Sequence, residues 1–137
     1  MRQNFMLTIA SLLSILVLMF HLTDDTVRGM EPGTLSDLTA VPILVVWLYG
    51  TLRLGERRSG YVIILLGSLL GLIVPVIHMK GAGVGGAIAK SSGAFFFIWT
   101  LLALGVTALF SVILSGLGPW EHLGRRTTAP HKQGTSA

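Results

Sequence analysis

The sequence predicts an all-α fold: a polytopic membrane protein whose four transmembrane helices form an antiparallel bundle. Three observations predict it. Of the 137 residues, 52% are hydrophobic and only 12% charged, about half the charge of an ordinary soluble domain, and the mean hydropathy is +0.75. Too few charges remain to coat a water-exposed surface. The charges also collect between four apolar segments, each close to the roughly 20 residues a helix needs to cross a hydrocarbon core of about 30 Å. Finally, no segment alternates with a period of two, as a membrane strand would.

The first segment runs from Phe5 to Leu22 and carries no charge. Arg2 precedes it, as in a signal peptide. The run is longer than a secretory apolar region, however, and the HLTDD that follows offers no small-x-small cleavage pattern, so an uncleaved helix is expected. The second span covers about Leu38 to Leu54, and the third Tyr61 to Met79. The short GERRSG between them makes these two a tight hairpin. The fourth covers Ala94 to Leu117. Residues 1–117 thus form the transmembrane domain. Residues 118–137 form a polar cytoplasmic tail that is expected to be disordered, its closing TTAPHKQGTSA being small and polar.

Lysine and arginine give the direction. With the N-terminus inside, seven basic residues fall on the inner side (Arg2, Arg53, Arg57, Arg58, Arg125, Arg126, Lys132) and three on the outer (Arg28, Lys80, Lys90). The bias predicts a multi-pass protein of a prokaryotic plasma membrane with both termini cytoplasmic. Arg53 can snorkel to the inner headgroups. Tyr61 and Trp120 are expected at the inner interface, and Trp99 near the outer one. The net charge of +4 does not imply nucleic acid, because the basic residues flank apolar segments and form no patch on a soluble domain. The chain has no cysteine, which excludes disulfides, cysteine-based zinc sites, iron–sulfur clusters and thiol redox chemistry.

Helices in lipid associate through small residues and polar contacts, so such residues mark the inward faces. In the third span Gly67, Gly71, Pro75 and His78 share one stripe. It includes the GxxxG motif GSLLG, which reads first as helix packing. Pro75 removes a backbone hydrogen bond to Gly71 and is expected to kink the helix. In the fourth, Thr100, Thr107, Ser111 and Ser115 form a polar stripe whose hydroxyls can bond their own helix. In the first, Ser11, Ser14, His21 and Asp25 share a face.

That phase brings His21 and His78 to the same outer end of the bundle. If the first helix runs one turn past Leu22, Asp24 and Asp25 stack over His21 at i+3 and i+4. Imidazole with carboxylate is a ligand set for zinc, copper or another divalent ion. Two histidines could instead hold a haem axially. The plainer reading, a structural His–Asp hydrogen bond joining the first and third helices, is preferred at this stage, since there is no HExxH and no CxxCH. All three readings require the two rings within about 10 Å. His122 and His131 read as surface residues of the tail.

The loop KGAGVGGAIAKSSG is glycine-rich but lacks GxxxxGK[ST]. A flexible or re-entrant outer loop is expected there, not a phosphate site. Ser91 or Ser92 can cap the fourth helix. No acid sits in mid-span, where proton-coupled transporters usually need one. No nucleophilic triad or paired acids stand in the membrane. The sequence therefore favours a non-catalytic small membrane protein: a subunit of a larger membrane complex, or a homo-oligomeric, self-associating bundle. The alternatives are a metal- or haem-binding protein and a small oligomeric channel or transporter.

Overall fold

Four helices make up the chain in the computed structural model: α1 (Arg2–Val27), α2 (Ala40–Arg53), α3 (Arg58–Lys80) and α4 (Ala94–Thr127). The structure describes residues 2–29, 38–80 and 90–127, with side chains over 3–29, 38–79 and 90–118. Several sequence expectations lie outside the described residues: the glycine-rich run 81–89, Glu31 and Asp37 of the first loop, His131 and the tail beyond Thr127. The same holds for the side chains of Trp120 and His122.

α1, α3 and α4 are each long and apolar enough to cross a membrane, so the chain is a small membrane protein. α2 departs from the expected second span. Its 14 residues cover about 21 Å at 1.5 Å per residue, short of a core of about 30 Å. Pro42 sits in its first turn, where a missing N–H costs little, and Arg53 closes it with a positive charge at the negative end of the helix dipole. α1 continues past Leu22 to Val27, carrying both aspartates on the helix, and α4 continues past Leu117 to Thr127.

Contacts set the register. Gln3 Nε2 donates to Leu114 O, and His21 Nδ1 meets Thr100 Oγ1, so α1 and α4 run antiparallel. Tyr61 donates to Asn4 at one end while His78 meets His21 at the other, so α1 and α3 run parallel. α2 is stitched to α1 by a buried chain of hydrogen bonds. Trp47 Nε1 donates to Ser11 Oγ at 2.9 Å, Ser11 and Thr51 hydroxyls meet at 2.7 Å, and Thr51 Oγ1 donates to Trp47 O at 2.9 Å.

The interior is small and polar. Ser11, Ser14, Ser68, Thr100, Ser111 and Ser115 are buried, while Phe5, Leu16, Phe20, Leu66, Phe95 and Phe110 are exposed. That arrangement suits a lipid solvent, which gives Leu no reason to hide. A smaller apolar core of Ile15, Leu18, Trp47 and Leu104 lies between the helices. A Cβ on Gly67 would overlap the Trp47 ring, whereas one on Gly71 would stand 3.3 Å from Ala108 and 3.5 Å from Trp47. The stripe that Gly67 heads is therefore the seat of the α2 tryptophan. Pro75 lies inside α3, which continues as helix to Lys80, and its ring faces Gly105 of α4.

Two aromatic expectations separate. Trp99 is exposed and stacks on Phe95. Tyr61 is buried at 3% exposure: its hydroxyl donates to Asn4 Oδ1 at 2.6 Å, and a Cβ on Gly118 would strike its ring. Its phenol has a carbonyl oxygen as partner within the bundle.

Candidate functional site

The last turns of α1 and α3 and the first turn of α4 meet at one end of the bundle. There His21, Asp25, His78, Thr100 and Phe97 come together. The two imidazole centroids are 4.9 Å apart, edge to face, and Phe97 lies 5.2 and 5.6 Å from them. Asp25 Oδ2 stands 3.5 Å from His21 Nε2 and 3.3 Å from His78 Nε2. The side chains of His21 and Asp25 are 0% and 4% exposed; that of His78 is 18% exposed and forms the open edge.

Hydrogen bonds at the far side of each ring decide where the protons are. His78 Nδ1 lies 2.9 Å from Val74 O. A carbonyl only accepts, so Nδ1 carries the hydrogen. His21 Nδ1 lies 3.2 Å from Thr100 Oγ1. The single hydroxyl hydrogen of Thr100 goes to Phe97 O at 2.9 Å, so its oxygen accepts from His21 Nδ1–H. In its neutral form each ring therefore turns an Nε2 lone pair toward the same carboxylate oxygen. His21 Nε2 is buried and makes no hydrogen bond. In that state three electron-pair donors converge, an arrangement that a proton or a metal cation stabilises.

The spacing suits a metal. The ligand atoms of His21, Asp25 and His78 all lie within 4.8 Å of one another. Around a tetrahedral ion with bonds of about 2.0–2.1 Å, neighbouring ligand atoms are about 3.3–3.4 Å apart. The two Nε2–Oδ2 edges already have that length, and the third needs about 1.4 Å of closure or less. Thr100 and Val74 act as the outer partners that fix ring orientation in metal–histidine sites. A porphyrin does not fit: the rings touch each other and Phe97, with the carboxylate between them, which leaves no slot for a macrocycle.

Thr100, His21 and Asp25 also line up as hydroxyl, imidazole and carboxylate, the order of a nucleophilic triad. The hydroxyl, however, spends its hydrogen on its own helix, and Thr100 is only 4% exposed. It has neither a free proton to give nor an approach for a substrate.

Asp24 does not join the cluster. It accepts from Arg28 Nε at 2.7 Å, and this hydrogen bond raises the pKa of the guanidinium further above its usual value. Arg28 reaches across to the start of α4, donating to Ser91 Oγ and Ser92 O at 3.2 Å each and to Gly93 O at 2.9 Å. Gly93 has φ +84°, and a Cβ there would stand 2.6 Å from the guanidinium, so glycine is required twice over. Ser91, expected as a cap, serves as an acceptor for Arg28.

Sequence reasoning overlooked Arg28, Thr100 as a partner of His21, and Phe97. The i,i+4 spacing of Asp24 and Arg28 was a usable signal. Nothing in the sequence pairs Thr100 or Phe97 with α1. Compared with protein-family models, curated proteins and solved structures, the chain matches none.

Proposed function

We propose that the chain is a small non-catalytic integral membrane protein of a prokaryotic plasma membrane that binds a divalent transition-metal ion at the outer end of its bundle. His21 Nε2, His78 Nε2 and Asp25 Oδ2 are the ligands. One observation carries this reading: a ligand atom from each of His21, His78 and Asp25 converges within 4.8 Å of the others, while both Nδ1 atoms are engaged on the far side of their rings. Two imidazoles and one carboxylate suit zinc, copper or cobalt better than calcium or magnesium, which take oxygen ligands. Three protein ligands leave a fourth position open, on the side of the partly exposed His78. The bound ion joins α1 to α3 within a bundle that works as a subunit of a larger membrane assembly or by self-association.

The test is purification in mild detergent, metal analysis, and cobalt(II) titration followed by visible absorption. About one equivalent of metal is expected, with cobalt d–d bands that disappear in His21→Ala and in His78→Ala. If the wild-type protein takes up no stoichiometric metal, and both variants merely lose thermal stability, the cluster is a structural His–Asp–His contact.

A further inference from the structure

At the opposite end of the bundle a second cleft opens between the start of α1 and the α2–α3 turn. Its volume is about 750 Å³, and its lining is mixed, with Asn4, Thr8, Thr51, Arg53, Glu56 and Arg57 supplying the polar part. Phe5 and Leu52, both exposed, also line it. Among the described residues no salt bridge engages Arg53 or Arg57, although Glu56 lies beside them. α3 begins at Arg58, and Arg57 O accepts from Tyr61 N as its first turn closes. The positive end of the α3 dipole therefore sits at the same turn.

We propose that this cleft binds a phosphate group, and that its source is the headgroup of an anionic phospholipid. Arg53 and Arg57 are two unpaired guanidinium groups of fixed charge, suited to forked hydrogen bonding of phosphate oxygens. They stand where a membrane-embedded chain meets the headgroup layer. Thr8 and Thr51 spend their hydroxyl hydrogens on Asn4 O and Trp47 O, so the further donor at the floor is the Asn4 amide nitrogen, its oxygen being held by Tyr61. Phe5 and Leu52 extend the cleft with an apolar wall along which an acyl chain can lie. A polar pocket for the head continuous with a greasy wall for the tail is the shape of a lipid site, and basic pockets between helices bind such headgroups elsewhere. The site is independent of the His–Asp–His cluster, and its test does not depend on metal.

The experiment is native mass spectrometry of the full chain in mild detergent, with phosphatidylglycerol, phosphatidylcholine or inorganic phosphate added in turn. Phosphatidylglycerol is expected to be retained roughly thirtyfold over phosphatidylcholine, given about 1 kcal/mol for each of the two arginines near the headgroups. The preference should vanish in the double variant Arg53→Gln/Arg57→Gln and survive in Arg58→Gln, which removes a neighbouring charge that does not line the cleft. Circular dichroism checks that each variant remains helical. Equal retention of the two lipids by the wild-type protein overturns the proposal. So does an equal loss in Arg58→Gln, which would mean general charge and no site. Inorganic phosphate that competes fully with phosphatidylglycerol at millimolar concentration keeps the phosphate chemistry but overturns the lipid as its source.

Discussion

Asp25 and Asp24 are adjacent in sequence and opposite in consequence. Asp25 Oδ2 faces two bare Nε2 atoms; Asp24 faces only the Arg28 guanidinium. Asp25→Asn replaces an electron-pair donor by an amide that can donate to the imidazoles. Without metal, this variant should be as stable as the wild type or gain about 1–3 kcal/mol, since its amide can donate to the buried His21 Nε2. Its metal affinity should fall at least tenfold, judging by what the loss of a ligand or its close support costs. Asp24→Asn should do the reverse, keeping the metal and losing stability through the weakened Arg28 contact. Thermal unfolding with and without cobalt(II) checks both. An Asp25→Asn protein that is strongly destabilised without metal would show that the carboxylate is needed for packing. At this scale the sequence was legible where groups share one helix. The four-residue step from His21 to Asp25 puts them on one face. The proton positions were not legible, because they depend on Thr100, 79 residues away, and on a carbonyl, which has no sequence signature.

At the level of elements, the glycine stripe of α3 has a specific partner. Trp47 of α2 lies on Gly67, and its ring edge also reaches Gly71. Gly67→Ala should destabilise the bundle by about 1–3 kcal/mol through overpacking against a ring that its own hydrogen bond to Ser11 holds in place. Gly71→Ala should cost less, because its nearest contacts are at 3.3–3.5 Å. Gly71→Leu should disturb folding more than Leu72→Ala, which only trims a half-buried side chain. Detergent melting curves of the four variants would rank them; Gly67→Ala melting with the wild type would mean that Trp47 swings aside freely. The stripe was visible in the sequence as spacing alone. Its occupant was not, since small residues mark a close approach without naming what approaches. Helix lengths were read less well than helix positions. Hydropathy stops at Leu22 and Leu117, while hydrogen bonding carries α1 to Val27 and α4 to Thr127.

For the whole molecule, the register puts the beginning of α1 beside the later part of α4, through Gln3 and Leu114. Both ends of the bundle chain therefore lie on one side, although α2 is short. The basic residues favour the cytoplasm for that side. Reporter fusions after Lys90 should read as outside and fusions after Arg58 as inside; the reverse at either point would overturn the proposed orientation. The fold class followed from composition because a chain this poor in charge has only one solvent that suits it. The polar interior also followed from that solvent, since lipid rewards close backbone approach and gives no reason to hide Leu.

The division of labour at the His–Asp–His cluster bears on how the protein is made. Its three converging atoms come from α1 and α3, yet the hydroxyl that sets the His21 proton, the aromatic wall of Phe97 and the acceptors for Arg28 all come from α4. Within α3 alone, Val74 O already sets the His78 ring. The His21 ring is set only once Thr100 of α4 has packed against α1. Two histidines that face one carboxylate are thus oriented at different stages of assembly, one with its own helix and one with the docking of another.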